Sequence, residues 1–319
     1  MNAPHKIVLS EHLDTVCADW LAERSQLVRA PLTDAPRLDA ELSDADGLIV
    51  RTYTQVDQTL LDRAPKLRVV GRAGVGLDNI DLDACSKRDV TVVYTPDANT
   101  QAVVEYVWAL IFDDLRPRLR LPGFVPPEQF HQHRQDQVGQ QVADLTLGVL
   151  GMGRIGRRMA GVGRAFGCDV IYHDVLDDAQ LKLPQDFAAK RVDRDTLLRD
   201  SDILTIHVDG RAENRPLFDA ALLAKLNRKC LLINTSRGFV IDPASLADWA
   251  REAEGKGGRA VLDVHDPEPI VADYPVLGLA NVQLLPHLAS RTTTAMRNMS
   301  WVVRDVLRVL EGEKPDWPA

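Results

Sequence analysis

The sequence predicts an α/β protein with two doubly wound parallel-sheet domains. Three observations predict it: β-rich runs alternate with helical stretches twice over, a glycine motif opens the second series, and 319 residues suffice for roughly two domains. In the first series, residues 7–9, 48–50, 67–70 and 90–93 read as strands, and 11–24, 57–63 and 82–88 as helices. That pattern implies an open parallel sheet of about five strands. The second series places six strands at 147–150, 170–173, 203–207, 231–234, 260–263 and 282–285. Right-handed crossovers put their C-terminal ends, and any ligand, along one edge.

Two helices join the halves. Asn99 or Thr100 can cap a helix running to about Leu115, stopped before Pro117. Val103, Val104, Val107, Ala109, Leu110 and Ile111 make it apolar on more than one face, so burial on several sides is expected. Ser290 or Thr292 opens a C-terminal helix with Met296, Met299, Val303, Val306 and Leu310 on one stripe, closed by Gly312 and Pro315. If that helix returns to the first half, one domain is discontinuous (1–97 plus 291–319) and encloses the other (98–290). Residues 122–141, rich in proline and glutamine, read as an exposed excursion. His131 and His133 there lack a third ligand, so no metal is expected.

The glycine motif has the setting it needs. The strand ending at Leu150 runs straight into Gly151-Met152-Gly153-Arg154-Ile155-Gly156, and 157–166 reads as a helix. Gly151 permits a tight turn, Gly153 a close approach to a pyrophosphate, and Gly156 close helix packing. The helix N-terminus favours an anion through its unpaired N–H groups and dipole. Asp174 ends the next strand, 18 residues past Gly156, where a carboxylate can hold both ribose hydroxyls. No Arg or Lys follows it directly, so a 2′-phosphate would meet negative charge and NAD is expected over NADP.

Composition narrows the class. A net charge of −8 argues against nucleic-acid and anionic-membrane partners, and no apolar run approaches the ~18 residues of a membrane helix. The N-terminus has no signal-peptide layout. Cys17, Cys85, Cys168 and Cys230 are scattered among apolar runs, which suits free buried thiols in a cytoplasmic protein.

Three further segments follow strands of the glycine-motif series: Asn234-Thr235-Ser236-Arg237-Gly238, residues 263–269, and Pro286-His287. An Arg, a Glu and a His converging on a nicotinamide suit hydride transfer to a 2-keto acid. Arg237 can grip a carboxylate and polarise the carbonyl, and His287 can protonate the forming alkoxide. Glu268, bonded to the other ring nitrogen, favours the charged imidazole. Each alone is ordinarily a surface or loop group; the ordered set after three strands carries the reading.

These segments, with Arg72-Ala73-Gly74-Val75-Gly76-Leu77-Asp78-Asn79-Ile80-Asp81, resemble the D-isomer-specific 2-hydroxyacid dehydrogenases over nearly the whole chain. The resemblance implies a Rossmann cofactor domain inserted in a flavodoxin-like substrate domain, and catalysis by Arg237, Glu268 and His287. It implies cofactor contacts at Gly151, Gly153, Arg154, Ile155, Gly156, Asp174, His207, Thr235 and Asp263, the last near the nicotinamide amide. It also implies substrate contacts at Val75, Gly76 and Arg237, and a homodimer built on the cofactor domains. Departures are Val208-Asp209-Gly210-Arg211, where an apolar residue and proline are usual, and His265, where an aromatic is usual.

The substrate is harder to read. Arg51 and Arg72 follow first-series strands and suit a second anionic group, as in 3-phosphoglycerate dehydrogenases of a short form without a regulatory domain. Tyr94-Thr95-Pro96-Asp97 instead resembles glyoxylate and hydroxypyruvate reductases. A reading of another class is an NAD-sensing corepressor-like protein with the same fold and trio.

Overall fold

The computed structural model describes residues 4–319 apart from 117, 186 and 188. It divides into two compact units, Met1–Thr100 with Ser290–Ala319, and Gln101–Ala289. Aliphatic runs build the first unit's sheet from β1 (Lys6–Leu9), β2 (Gln26–Arg29), β3 (Gly47–Val50), β4 (Val69–Arg72) and β5 (Thr91–Tyr94). All five strands are parallel, in the order β2-β1-β3-β4-β5.

Period-two alternation gives this sheet two apolar faces. Val8, Leu48, Val50, Val70 and Val92 pack on one side with Leu38, Leu42, Leu60 and Leu61. Ile7, Ile49, Val69 and Val93 pack on the other with Val302, Val303, Val306 and Leu310 from the C-terminal segment. Each such side chain, fully buried, contributes about 1.5–3 kcal/mol. β2 escapes the sequence pattern because Gln26 and Arg29 leave only Leu27 and Val28 to mark an edge strand. A helix at Ala35–Leu42, capped by Asp34, is likewise unexpected, being polar with proline in its first turn. The helix expected over 11–24 is confined to Thr15–Ala22, because Asp14 caps it and Glu11 is turned elsewhere.

The second unit has seven parallel strands where six were expected: β6 (Thr146–Leu150), β7 (Asp169–His173), β8 (Lys190–Arg191), β9 (Ile203–Ile206), β10 (Leu231–Asn234), β11 (Arg259–Leu262) and β12 (Val282–Leu284). The added strand, β8, is two residues long at the sheet edge, too short to leave a periodic signal. The order β12-β11-β10-β9-β6-β7-β8 reverses direction at β6 and β9, which places a topological switch point beside the glycine loop. Leu147, Val149, Leu231 and Ile233 pack with Val103, Val107, Trp108 and Ile111 of the helix Thr100–Leu115. Leu204, Ile206 and Leu232 face the opposite way, against Leu246, Trp249 and Ala250 of the helix Pro243–Ala253.

The excursion is exposed, as expected, and contains a helix, Pro127–Asp136, with none of its residues buried. One other expectation is corrected. The C-terminal helix is two helices, Thr293–Ser300 and Val303–Glu311, the first capped by Thr292 and the second ended by Gly312 at φ +82°. No helix among the described residues is long and apolar enough to cross a membrane.

Candidate active site

Because the second sheet is parallel, its strand exits line one edge. In the order β7, β6, β9, β10, β11, β12 they deliver Asp174, the glycine loop, His207, Thr235 to Arg237, Asp263 to Glu268, and His287. Neighbouring strands lie about 4.8 Å apart, so sheet order arranges these groups in a row.

The glycine loop is shaped for a phosphate. Gly151 has φ +92°, and a Cβ there would lie 2.7 Å from the His207 carbonyl oxygen. A Cβ on Gly156 would lie 2.0 Å from the Gly151 oxygen, so only glycine lets the helix Arg154–Ala165 begin against the loop. Gly153 caps that helix without a side-chain bond, and nothing lies within 4 Å of where its Cβ would be. The first-turn amides, with Arg154 and Ile155, therefore border open space. Asp174 is fixed beside them: Oδ2 accepts from the Met152 N–H at 2.6 Å and Oδ1 from the Leu176 N–H at 2.8 Å. Each oxygen retains lone-pair capacity for a hydroxyl.

Farther along the edge, His207 Nε2 and Thr235 Oγ1 are buried without a partner among the described residues. Burial pushes the His207 imidazole down to about 3, so it is neutral at working pH. Orphaned buried polar atoms are expected where a polar ligand belongs. Together with the open first turn, they fit a dinucleotide.

At the β10 exit, Asn234 Oδ1 accepts from the Ser236 N–H at 3.0 Å and the Ser236 hydroxyl at 2.7 Å. Asn234 Nδ2 donates to the Arg237 carbonyl at 2.9 Å, so one side chain shapes the turn that presents Arg237. The Arg237 guanidinium is half-buried and donates from Nη1 to the Ser236 carbonyl at 2.8 Å. The neighbouring Arg211 is engaged by Asp209, with bonds of 2.7 and 2.6 Å.

The structure brings His287 and Glu268 into direct contact, Nδ1 to Oε1 at 2.7 Å. His287 has φ +56°, a left-handed conformation uncommon for a residue other than glycine. Asp263, fully buried, holds that turn by accepting from the Leu288 N–H at 2.8 Å and the Ala289 N–H at 2.9 Å. Burial pushes its carboxyl up, and those two hydrogen bonds oppose the push. Sequence reasoning placed Asp263 near the nicotinamide amide; its grip on the His287 turn spans 25 residues and left no local sign.

In the first unit, Arg51 and Arg72 have different surroundings. Arg51 Nη2 donates to Met296 Sδ at 3.2 Å, and no carboxylate pairs with its guanidinium among the described residues. Burial first, then the charge of Arg291, lowers its pKa. The Arg72 guanidinium folds over its own loop: Nη1 donates to the Ala73 carbonyl at 3.2 Å, and a Cβ on Gly74 would lie 1.2 Å from it. Val75 and Gly76, next in that loop, donate no backbone–backbone hydrogen bond among the described residues.

Sequence reasoning missed Glu11. Its carboxylate accepts from the backbone N–H groups of Arg51 (2.9 Å), Thr52 (3.1 Å), Tyr53 (3.2 Å) and Thr54 (3.0 Å). Burial raises its pKa, but these bonds outweigh that and hold it below the ordinary value. The partners are at least 40 residues away, so no motif signals them.

Residues 109–289 match the family model described as D-isomer specific 2-hydroxyacid dehydrogenase, NAD binding domain. Over 315 residues the chain is 36% identical to an (S)-sulfolactate dehydrogenase of Chromohalobacter salexigens, covering 95% of this chain and 97% of that one. Over 278 residues it is 34% identical to a glyoxylate reductase of Aeropyrum pernix, covering 85% and 82%. The structure of a D-lactate dehydrogenase from Aquifex aeolicus complexed with NAD and lactic acid superposes with TM-score 0.80 at 25% identity, covering 97% and 96%. The chain belongs to the D-isomer specific 2-hydroxyacid dehydrogenases. It is an oxidoreductase of 2-hydroxyacids and 2-keto acids with an NAD-binding domain.

Proposed function

We propose that the enzyme interconverts a D-2-hydroxyacid and its 2-keto acid with His287 as proton donor, and that its substrate carries a second anionic group. The observation behind the first part is the 2.7 Å bond between His287 and Glu268 on a turn clamped by Asp263. In reduction, bound NADH supplies the hydride. Arg237 holds the substrate carboxylate and polarises the carbonyl, with Val75 and Gly76 as backbone donors to that carboxylate. His287 gives its proton to the carbonyl oxygen, and Glu268 orients the imidazole and balances its charge. Gly151, Gly153, Arg154, Ile155, Gly156, Asp174, His207, Thr235 and Asp263 bind the cofactor. NAD is preferred over NADP because the fixed Asp174 carboxylate repels a 2′-phosphate and Arg211 is held by Asp209. Comparable kcat/KM with NADH and NADPH would refute that preference.

The observation behind the second part is Arg51, half-buried beside Arg291, whose guanidinium makes no ion pair among the described residues and feels the Glu11 carboxylate only through its charge. Two guanidiniums close together favour an anion between them. Arg72, engaged by its own loop, is the secondary candidate. A 3-sulfonate or 3-phosphate on the keto acid supplies such a charge, as in sulfopyruvate and 3-phosphohydroxypyruvate. The (S)-sulfolactate of the relative's name fits a D-specific family: sulfur raises the priority of its CH2 group above the carboxyl, so the S label denotes the D-like arrangement. The glyoxylate/hydroxypyruvate reading is favoured by the A. pernix relative. Turnover of purified enzyme with NADH on sulfopyruvate, 3-phosphohydroxypyruvate, hydroxypyruvate and glyoxylate decides between them. Preference for glyoxylate overturns the dianion reading.

A homodimer is part of the proposal. Leu119, Leu121, Phe124, Phe130 and Val138 are exposed in and around the unburied helix Pro127–Asp136, as an interface requires. A monomeric mass by sedimentation would refute it. A cytoplasmic setting suits the four free, buried cysteines.

A further inference from the structure

We propose that His265 is a positioning residue for the proton donor, holding the turn that carries His287 in register with Glu268. The proposal rests on the reading of His287 as proton donor. His265 is buried, 9% exposed, and its ring meets Tyr274 edge-on with centroids 5.8 Å apart. Its Nε2 lies 2.7 Å from the carbonyl oxygen of Leu285, two residues before His287. A carbonyl oxygen only accepts, so Nε2 carries the proton of that bond.

The bond completes a clamp. Asp263 grips the same segment on the far side of His287, through the Leu288 and Ala289 N–H groups. His287 sits between the two grips at φ +56°, a conformation that persists where its surroundings impose it. The backbone N–H of His265 also faces Glu268 Oε2 at 3.5 Å, while Oε1 binds His287 Nδ1 at 2.7 Å. One residue therefore touches the supports of both partners. The Arg237 loop adjoins as well: a Cβ on Gly238 would lie 1.9 Å from the His265 carbonyl carbon, so that loop lies directly against the His265 backbone. Among the described residues, Glu268 binds the His287 ring and Asp263 interacts with its charge. Loosening the Leu285 bond frees the turn to drift from Glu268 without removing either charge.

The test uses the full-length enzyme with NADH and whichever acid of the four-member panel it reduces best. His265→Phe keeps an aromatic ring and loses the donor. His265→Gln carries an N–H close to the position of Nε2, whereas His265→Asn carries one nearer Nδ1, out of reach of Leu285. Phe and Asn variants are expected to lose about threefold to tenfold in kcat, the scale of one net hydrogen bond. KM and NADH affinity stay within about twofold. The falling, alkaline limb of the kcat–pH profile moves to lower pH, because a loosened Glu268 supports the imidazolium less. Gln restores both readouts. Wild-type kcat and pH profile in the Phe and Asn variants overturn the proposal, as does equal loss in Gln and Asn with an unmoved profile. If the Phe variant does not fold, the Gln–Asn contrast decides alone. His287→Ala separates the two ideas. Retained turnover there refutes His287 as donor, whereas an inactive His287→Ala beside wild-type behaviour at position 265 refutes only the positioning role.

Discussion

At the exits of β10, β11 and β12, the side chains proposed to react are held from within the protein. Glu268 binds His287, Asp263 holds its turn, and Asn234 shapes the loop of Arg237. At the exit of β3 the arrangement is the reverse. Glu11 secures the backbone of 51–54 with its one carboxylate, and the Arg51 guanidinium beside Arg291 makes no ion pair among the described residues. In the proposed mechanism, the loops of the second unit thus serve one chemical step. The β3 loop is rigid in its backbone with its charge open, which suits selection among substrates. Arg72, in register with Val50 on the neighbouring strand, shows that the difference is local: its guanidinium folds onto its own loop.

The largest expected effect breaks the chemical side of this contrast. His287→Ala lowers kcat for keto-acid reduction by about 10²-fold or more while leaving NADH affinity nearly intact. Comparable turnover would mean that another group protonates the alkoxide. A smaller effect sharpens it. Glu268→Gln leaves the imidazolium without a carboxylate, so the alkaline limb of the kcat–pH profile moves to lower pH and kcat at neutral pH falls severalfold. An unmoved limb would remove Glu268 from the mechanism.

The smallest effect lies in the first unit and is read as stability. Glu11→Gln removes the charge from the oxygen that remains and puts an NH2, which cannot accept from the Thr52 N–H, in place of the other, costing about 1–3 kcal/mol, visible as a lower Tm. Because the folded carboxyl is held below its ordinary value of 4.5, its stabilisation is fully present above that pH and lost as pH falls through the folded value. The gap in Tm between wild type and Glu11→Gln should therefore close on acidification below about pH 4.5. A gap independent of pH would show that Glu11 acts by packing alone.

Much of the second unit was legible because its signals are local. The glycine loop, Asp174 and the three post-strand segments each occupy a few consecutive residues. β2 and β8 were not legible, since short edge strands with polar ends leave no alternation. The helix Pro127–Asp136 lay hidden in a polar stretch with no apolar face to mark it. The break at Trp301 and Val302 lay inside an unbroken apolar stripe. The sequence pointed to His287, Glu268 and Asp263 but not to what holds them. Glu11 on the backbone of 51–54, and the grips of Asp263 and His265 on the turn of His287, act across 40, 25 and 20 residues, so no local pattern signals those contacts.

The contrast between a fixed chemical step and an open recognition charge is tested most directly by kcat/KM for sulfopyruvate and for glyoxylate, in wild type and Arg51→Ala. The variant is expected to lose roughly ten- to a hundredfold on sulfopyruvate and hardly to change on glyoxylate, which has no distal anion to lose. Equal loss on both, or a wild type that prefers glyoxylate outright, would contradict it.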